Sequence, residues 1–292
     1  MIKSRIAPTP SGYLHVGNLY NFLFTYLLTR KLAGTLLLRI DDGDTERIRE
    51  TYVSHMFDTL AWLGIDWDEG PRTVAEVNQY SQLNKQNNYL NAITVLKEKE
   101  VLFACSCSRN TLMELGNAPN PCLQHKLPFA LNYNWRLNTT NISVNVSDSL
   151  TNIVYEMNLH EAIREPVIYR KNGLAAYQIC SLVDDVEAGV NLIVRGKDLL
   201  PSTAVQLFLA EQLQYQTFLQ TQFLHHNLLL DSSGQKLSKS VGNYETLQIN
   251  LKQSPAMVYQ GFCKWLQLPY SKDIIEIGEL QQLFNQYFNW PD

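Results

Sequence analysis

The sequence predicts a doubly wound parallel α/β sheet, split by a cysteine-bearing insert and followed by a short helical tail. Three observations carry that expectation: a strand–helix–strand unit opens the chain, a second apolar strand and helix recur near residue 190, and the stretch between them differs in composition. Residues 3–7 read as a short strand, ended by Pro8, Pro10 and the turn pair Ser11 and Gly12. A helix over residues 18–32 follows, because Leu19, Phe22, Leu23, Tyr26 and Leu27 recur at i, i+3, i+4 spacing. Gly34 stops it, and residues 35–40 form an apolar run of the kind buried on both faces of a parallel sheet. Together these are the core unit of an α/β domain.

Further helices are expected up to Leu63, with Gly64 as the stop, and over residues 84–99. Residues 105–158 then hold most of the cysteines, several Pro and Asn, and the alternating run Ile142-Ser143-Val144-Asn145-Val146. The α/β pattern resumes with residues 177–185, a strand over 191–195 and an amphipathic helix over 202–213. Short helices are expected around 257–266 and 280–287. The expected division is therefore 1–99 and 161–230 as two halves of the sheet domain, 100–160 as the insert, and 231–292 as a lysine-bearing loop and helical tail.

Composition narrows the function classes. The chain has 292 residues, 45% of them apolar and 11% aromatic, enough to bury a large core and too many for a disordered chain. Five cysteines at uneven spacing do not make a disulfide framework. No apolar run reaches the ~18 residues of a membrane span, and no signal-peptide core opens the chain. With 24 basic and 28 acidic residues, the net charge of −4 gives no basic surplus for non-specific nucleic-acid binding, although a local patch remains compatible with it. A monomeric cytoplasmic enzyme without a membrane partner is the starting expectation.

Two segments carry phosphate chemistry. Ser11-Gly12-Tyr13-Leu14-His15-Val16-Gly17-Asn18 lies between the first strand and the first helix, at the carboxyl end of a parallel strand where open α/β sheets bind ligands. The helix start offers N–H groups to a phosphate, Gly17 permits close backbone approach, and His15 can donate to an oxygen as charge develops on it. Late in the chain, Lys236-Leu237-Ser238-Lys239-Ser240 follows the loop residues Asp231 to Gly234. Two lysines three apart are mobile point charges suited to a polyphosphate. Taken singly, the first segment is also compatible with an ordinary turn histidine and the second with a solvated loop; their pairing in one chain is what is specific.

These residues resemble a known family. The run from Arg5 through Ala7, Thr9 and His15 to Asn18 is similar to the opening of the class I glutamyl-tRNA synthetases. Leu38-Arg39-Ile40-Asp41-Asp42-Gly43-Asp44 with Arg47 resembles their "LRIEDTD…R" strand, Tyr177 with Val183-Asp184-Asp185 their "VVDD" segment, Ile193 to Asp198 their "VIRGED" segment, and Lys236 to Ser240 their "KMSKS" loop. The matches are collinear from residue 5 to about 245. The resemblance implies a Rossmann-type class I fold. Only 52 residues follow Ser240, so a separate anticodon-binding domain is not expected, and the chain is most similar to the shortened glutamyl-queuosine tRNA(Asp) synthetase group.

What the resemblance implies is activation of L-glutamate with ATP and transfer to a tRNA, with queuosine in the anticodon of aspartate tRNA as the expected acceptor. Arg5, Ala7 and Thr9 would form one wall of the glutamate site, Tyr177 and Arg195 another, with Ser181 beside them. Asp41 stands where the family has a Glu that receives the α-amino group; it is one methylene shorter, or it pairs with Arg39 at the surface. His15, Lys236 and Lys239 would carry the chemistry by stabilising the phosphorus centre and the leaving pyrophosphate, with Mg²⁺ sharing the charge. Gly17, Asn18 and Ser238 would complete the ATP site.

Cys105, Cys107 and Cys122 offer three thiolates for structural zinc. The resembling group uses Cys-x-Cys followed by Tyr and Cys, but the Tyr position is Ala118 here, and His125 is the substitute read from this sequence alone. Reduced thiols in a metal-free insert are the alternative. Two competing functional readings stay open: a ligase that charges a tRNA 3′ end, and a non-catalytic paralogue that binds glutamate or AMP.

Overall fold

The computed structural model describes residues 1–116, 118–229, 251–269 and 274–291. Strand β1 (Lys3–Ile6) leads into α1 (Val16–Lys31) and then β2 (Thr35–Leu38), and β1 and β2 pair in parallel with Arg5 opposite Leu37. Helices α2 (Glu50–Trp62) and α3 (Gln86–Glu98) follow, with Gly64 in the left-handed region (φ 62°) just past the end of α2. The second half of the sheet is α7 (Tyr177–Glu187), β8 (Leu192–Gly196), α8 (Leu200–Leu213), α9 (Gln216–Leu219) and β9 (Gln222–His226). Strands β8 and β9 are parallel, with Arg195 opposite His225.

The two parallel pairs meet at one end, where the Asn191 N–H donates to the Lys3 carbonyl at 3.0 Å and the Lys3 N–H donates to Asn191 Oδ1 at 2.8 Å. The alternation of side chains shows that the sheet is covered on both faces. Leu36, Leu38, Leu192, Val194 and Leu224 join a core with α1, α2 and the C-terminal helices α10 (Ala256–Trp265) and α11 (Ile277–Tyr287), whereas Ile193 and Phe223 join a second core with α3, α7 and α8. A period-2 switch between two cores is what a sheet sandwiched by helices requires. The expected doubly wound class is the observed one.

The insert is an antiparallel sheet of β3 (Leu102–Cys105), β4 (Asn134–Leu137) and β7 (Val167–Tyr169), with a hairpin of β5 (Ser143–Ser147) and β6 (Val154–Asn158). Short helices α4 (Arg109–Glu114), α5 (Cys122–His125) and α6 (Leu159–Ala162) connect them. The sheet draws β7 from beyond the expected boundary at residue 160, because β4 pairs with β7. Val146 and Leu159 of the insert are fully buried in the second core, so insert and body share one hydrophobic interior. Among the described residues, no helix is long and apolar enough to cross a membrane.

Candidate active site

In a doubly wound sheet the chain leaves adjacent central strands in opposite directions, opening a crevice at their carboxyl ends. Here those strands are β1 and β8, and the loops beyond them are pinned together. The Arg39 N–H donates to the Ile6 carbonyl and the Asp41 N–H to the Pro8 carbonyl, at 2.9 and 3.0 Å. His15 caps α1: its Nδ1 accepts from the Gly17 N–H at 3.1 Å, and Asn18 Oδ1 accepts from the His15 N–H at 3.1 Å. An accepting Nδ1 places the proton of the neutral ring on Nε2. A Cβ on Gly17 would lie 2.9 Å from His15 Cε1, so the glycine is required for the ring to fold back as the cap.

A cavity of about 210 Å³ opens over this helix start, lined by His15, Gly17, Asn18, Arg195, His226 and Trp265 among others. A second cavity of about 210 Å³ is lined by Thr9, Asp41, Gln82, Arg170, Tyr177 and Cys180 among others. Arg195 connects the two, since it lines the first and interacts electrostatically with Tyr177 of the second.

Beneath the second cavity lies a buried charged network. Arg39 Nε donates to Asp41 Oδ1 at 2.7 Å, its Nη1 to Asp185 Oδ1 at 2.6 Å and its Nη2 to Ser181 Oγ at 3.2 Å. Arg5 Nε donates to Asp185 Oδ1 at 3.1 Å. Asp184 accepts from Gln82 Nε2, Lys85 Nζ and the Tyr89 hydroxyl at 2.9, 3.0 and 2.9 Å. Burial raises the Asp41 carboxyl, opposed by Arg39 and reinforced by Asp184 and Asp185. Burial would raise Asp185 too, but Arg5 and Arg39 hold it below the usual range. Burial works against the charge on Arg39, yet Asp41, Asp185 and Asp184 hold its pKa well above the ordinary value. Arg39 and Asp41 thus do pair, but in the interior rather than at the surface.

Arg195 differs. It is 3% exposed, yet among the described residues only Nη1 has a hydrogen-bond partner, Gln206 Oε1 at 3.0 Å; Nε and Nη2 have none. Burial lowers its pKa to about 10, with Arg5 adding to the fall against Tyr177 and Asp185, so it stays cationic at neutral pH. Gln206 is fully buried and its Nε2 also lacks a partner. Guanidinium nitrogens without acceptors among the described residues, beside the Tyr177 that raises the Arg195 pKa, suit a carboxylate, which takes a guanidinium edge in bidentate fashion.

Of the residues read from the sequence, Thr9, Asp41 and Tyr177 line one cavity and His15, Gly17, Asn18 and Arg195 the other. Arg5 and Ser181 sit in the network beneath, gripping Asp185 and Arg39. Ala7 is half-buried just past β1, outside both linings. Lys236, Ser238 and Lys239 lie outside the described residues. Gln82, Arg170 and Gln206 escaped the sequence reading. Gln206 left a signal, a polar residue within Ala204-Val205-Gln206-Leu207-Phe208-Leu209; Arg170 left little, and its Nη1 reaches the Gly43 carbonyl (3.0 Å) across 127 residues.

The insert brings Cys105, Cys107 and Cys122 together, with their sulfurs all within 4.8 Å of one another. His125 is not brought to them. It is exposed at the end of α5, outside that group, because the four-residue helix starting at Cys122 carries it away before Lys126 turns the chain at φ 44°. Burial raises the Cys107 thiol to about 12, helped by its sulfur neighbours. Burial would raise Cys122 as well, but hydrogen bonds from Ser106 and the other thiols bring it below its ordinary value. Three soft donors this close, with reduced cysteines, fit structural zinc, whose tetrahedral set favours thiolates.

Comparison with known proteins follows the same lines. The model of the family "tRNA synthetases class I (E and Q), catalytic domain" matches residues 1–126 and 135–285. A glutamyl-Q tRNA(Asp) synthetase of Nitratidesulfovibrio vulgaris is 31% identical over 283 residues, covering 91% of this chain and 86% of that one. A glutamate–tRNA ligase of a Ruegeria species is 32% identical over 260 residues, covering 83% of this chain and 56% of that one; the chain thus spans about half the length of such ligases. The crystal structure of a glutamate tRNA ligase from Elizabethkingia meningosepticum, in complex with its amino acid, superposes with a TM-score of 0.72 at 19% identity, over 99% of this chain and 65% of that one, which shows the shared fold. The crevice at β1 and β8, the capped His15 turn and the family match over most of the chain agree, and this protein belongs to the class I tRNA synthetases of the glutamate and glutamine type.

Proposed function

We propose that the protein activates L-glutamate with ATP as glutamyl-adenylate and transfers the glutamyl group to a tRNA, most specifically to queuosine in the anticodon of aspartate tRNA. The observation that carries the glutamate reading is Arg195, a buried guanidinium whose Nε and Nη2 have no hydrogen-bond acceptor among the described residues. A buried cation left this way is costly unless a ligand anion completes it. Asp41, on the opposite cavity, supplies the negative charge for the ammonium group, with Arg39 holding its carboxylate in place.

The chemistry needs no nucleophilic side chain. A glutamate carboxylate oxygen attacks the α-phosphorus of ATP, the bond to the bridging oxygen breaks and pyrophosphate leaves; an acceptor hydroxyl then attacks the carbonyl, loses its proton and releases AMP. Positioning and charge stabilisation supply the rate. His15 does this through Nε2–H, since Nδ1 is occupied by the Gly17 N–H, and a fixed donor costs no reorganisation as charge grows on phosphate. Lys236 and Lys239 would add charge to the β- and γ-phosphates. Mg²⁺, carried by the nucleotide, supplies further charge neutralisation.

The queuosine reading is supported by the likeness to the glutamyl-Q tRNA(Asp) synthetase over 86% of that protein's length. The 3′-end ligase reading draws on the glutamate–tRNA ligases, of which the chain spans about half. Glutamate-dependent ATP–pyrophosphate exchange without tRNA tests the first step, with aspartate and glutamine as controls; exchange with glutamate alone is expected. Transfer of labelled glutamate to tRNA from which the 3′ adenosine has been removed decides the acceptor. Label that depends on that adenosine would sink the queuosine reading.

A further inference from the structure

The three cysteine sulfurs leave one corner of a tetrahedron to fill, and Ala118 cannot fill it. Arg164 donates through Nη1 and Nη2 to the Gly116 and Ala118 carbonyls, so this turn is held by its backbone, away from any ligand role of residue 118. The side chain that meets the sulfurs is Asn120, fully buried. Its Oδ1 lies 3.8 Å from Cys107 Sγ and accepts from the Cys122 N–H at 3.0 Å; its Nδ2 lies 3.6 Å from Cys105 Sγ. Cys107 and Cys122 sulfurs are 3.6 Å apart.

Two of those separations, Asn120 Oδ1 to Cys107 Sγ and Cys107 Sγ to Cys122 Sγ, match edges of a small tetrahedron, and the third sulfur lies within 4.8 Å of the other two. With Zn–S near 2.3 Å and Zn–O near 2.0–2.2 Å, tetrahedral angles give S···S of about 3.8 Å and S···O of about 3.5 Å. The sequence spacing is symmetric as well: Cys105 and Cys107 form one arm two residues apart, and Asn120 and Cys122 form a second arm of the same spacing. The orientation of the amide is fixed from outside. Asn120 Nδ2 donates to Glu165 Oε2 at 2.6 Å, so the carbonyl end, not the amino end, is turned to Cys107 and Cys122. Glu165 is fully buried, stands at φ 47°, and its Oε1 has no partner among the described residues. A buried carboxylate whose clear partner is an amide that touches a ligand set matches the carboxylate that orients a metal ligand from behind.

We propose that Asn120 supplies, through Oδ1, the fourth donor of a tetrahedral metal site completed by Cys105, Cys107 and Cys122, with Glu165 as the residue that positions its amide. The charge balance favours Zn²⁺: three thiolates and a neutral amide oxygen leave the site at −1, and the amide N–H to Cys105 and the Cys122 N–H spread that charge.

The test uses the full chain, purified with and without added Zn²⁺, with metal content by mass spectrometry, affinity by chelator competition and the coordination shell by X-ray absorption. Wild type is expected to hold one zinc with three sulfurs at about 2.3 Å and one oxygen at about 2.0–2.2 Å. Asn120→Cys is expected to convert this to four sulfurs, a gain that an unfolded variant cannot imitate. Asn120→Ala should weaken binding at least tenfold, and Glu165→Gln by about 10–100-fold with the three-sulfur, one-oxygen shell unchanged. Three sulfurs retained in Asn120→Cys, wild-type affinity in Asn120→Ala, or a wild type that takes up no zinc would each overturn the proposal.

Discussion

Arg39 and Arg195 are both buried arginines near the same crevice, and they are treated oppositely by their surroundings. Arg39 is 7% exposed and bonded to Asp41, Asp185 and Ser181, and its neighbours push its pKa up. Arg195 is 3% exposed and bonded to one glutamine oxygen, and burial brings its pKa down to about 10. A charge removed from water must be compensated by partners or by a ligand. Arg39 is compensated by the fold itself and acts as scaffold; Arg195 has no such compensation among the described residues, which is what the proposed carboxylate site requires. The difference separates what holds the site from what the site holds, within one network of acids and bases.

The sharpest way to break this comparison is to remove each arginine. Arg39→Leu leaves Asp41, Asp184 and Asp185 facing one another with Arg5, Lys85 and Arg195 as the neighbouring cations, and breaking a buried pair on one side typically costs about 3–5 kcal/mol. Urea unfolding should show that loss whether or not glutamate is present. Arg195→Met should cost less than Arg39→Leu, about 1–3 kcal/mol, because it leaves one buried acceptor, Gln206 Oε1, without its donor. Its glutamate-dependent exchange should fall about 30-fold or more, from the roughly 2–5 kcal/mol typical of truncating one partner of a buried, hydrogen-bonded charge pair. If Arg195→Met unfolds as readily as Arg39→Leu, the distinction between scaffold and ligand site fails.

The same contrast explains what was legible in the sequence. The strands and helices α1, β2, β8 and α8 are readable because each carries an apolar run or a 3.6-residue period, and β1, with the polar sequence Lys3-Ser4-Arg5-Ile6, is readable only from the prolines and turn pair that follow it. Their ends shifted by a residue or two, as at residues 39–40, where Arg39 turns out of the strand to serve the acidic network. Residues that belong to motifs, such as His15 and Arg195, are brought together by the fold at one cavity. What escaped came from long-range contacts: Gln82 reaches Asp184 across 102 residues, and Arg170 reaches Gly43 across 127. No local period reports such a contact. His125 differs from the expectation for a related reason: three residues of sequence from Cys122 do not fix its place in space, and a one-turn helix sends it outward.

Behind Arg195 lies a third buried polar set, and it belongs on the scaffold side. His225, the register partner of Arg195, approaches Asp148 Oδ2 with Nδ1 at 3.3 Å and Thr203 Oγ1 with Nε2 at 2.7 Å, and its backbone N–H donates to Asp148 Oδ2 at 2.7 Å. Burial would raise Asp148, but the bonds from His225 and Thr151 hold it far below the usual carboxylate range; burial lowers His225. Both groups bind fewer protons folded than unfolded, so both contributions are present above the unfolded pKa values and lost as pH falls. For His225 the loss begins below about 6.5, and for Asp148 below about 3.8. Asp148→Asn should cost about 1.5–3 kcal/mol at pH 7 in thermal or urea unfolding, and the gap to wild type should narrow only once pH drops below the ordinary carboxylate pKa.

The smallest effect is expected at Gln206, and it is the finest probe of where the ligand site begins. Its Oε1 already serves Arg195, while Nε2, fully buried, has no partner among the described residues. If that N–H meets the substrate carboxylate beside Arg195, Gln206→Leu removes that hydrogen bond as well as the acceptor of Arg195 Nη1, and should raise the KM for glutamate roughly tenfold or more with kcat little changed. Gln206→Glu should be more damaging than Gln206→Leu in exchange while leaving the fold at least as stable, because its carboxylate pairs with Arg195 and occupies the charge that glutamate would use. That inverse ordering of stability and activity is what a ligand-directed arginine demands. An unchanged KM in Gln206→Leu would move Gln206 to the scaffold, and the ligand site would then end at the two open nitrogens of Arg195.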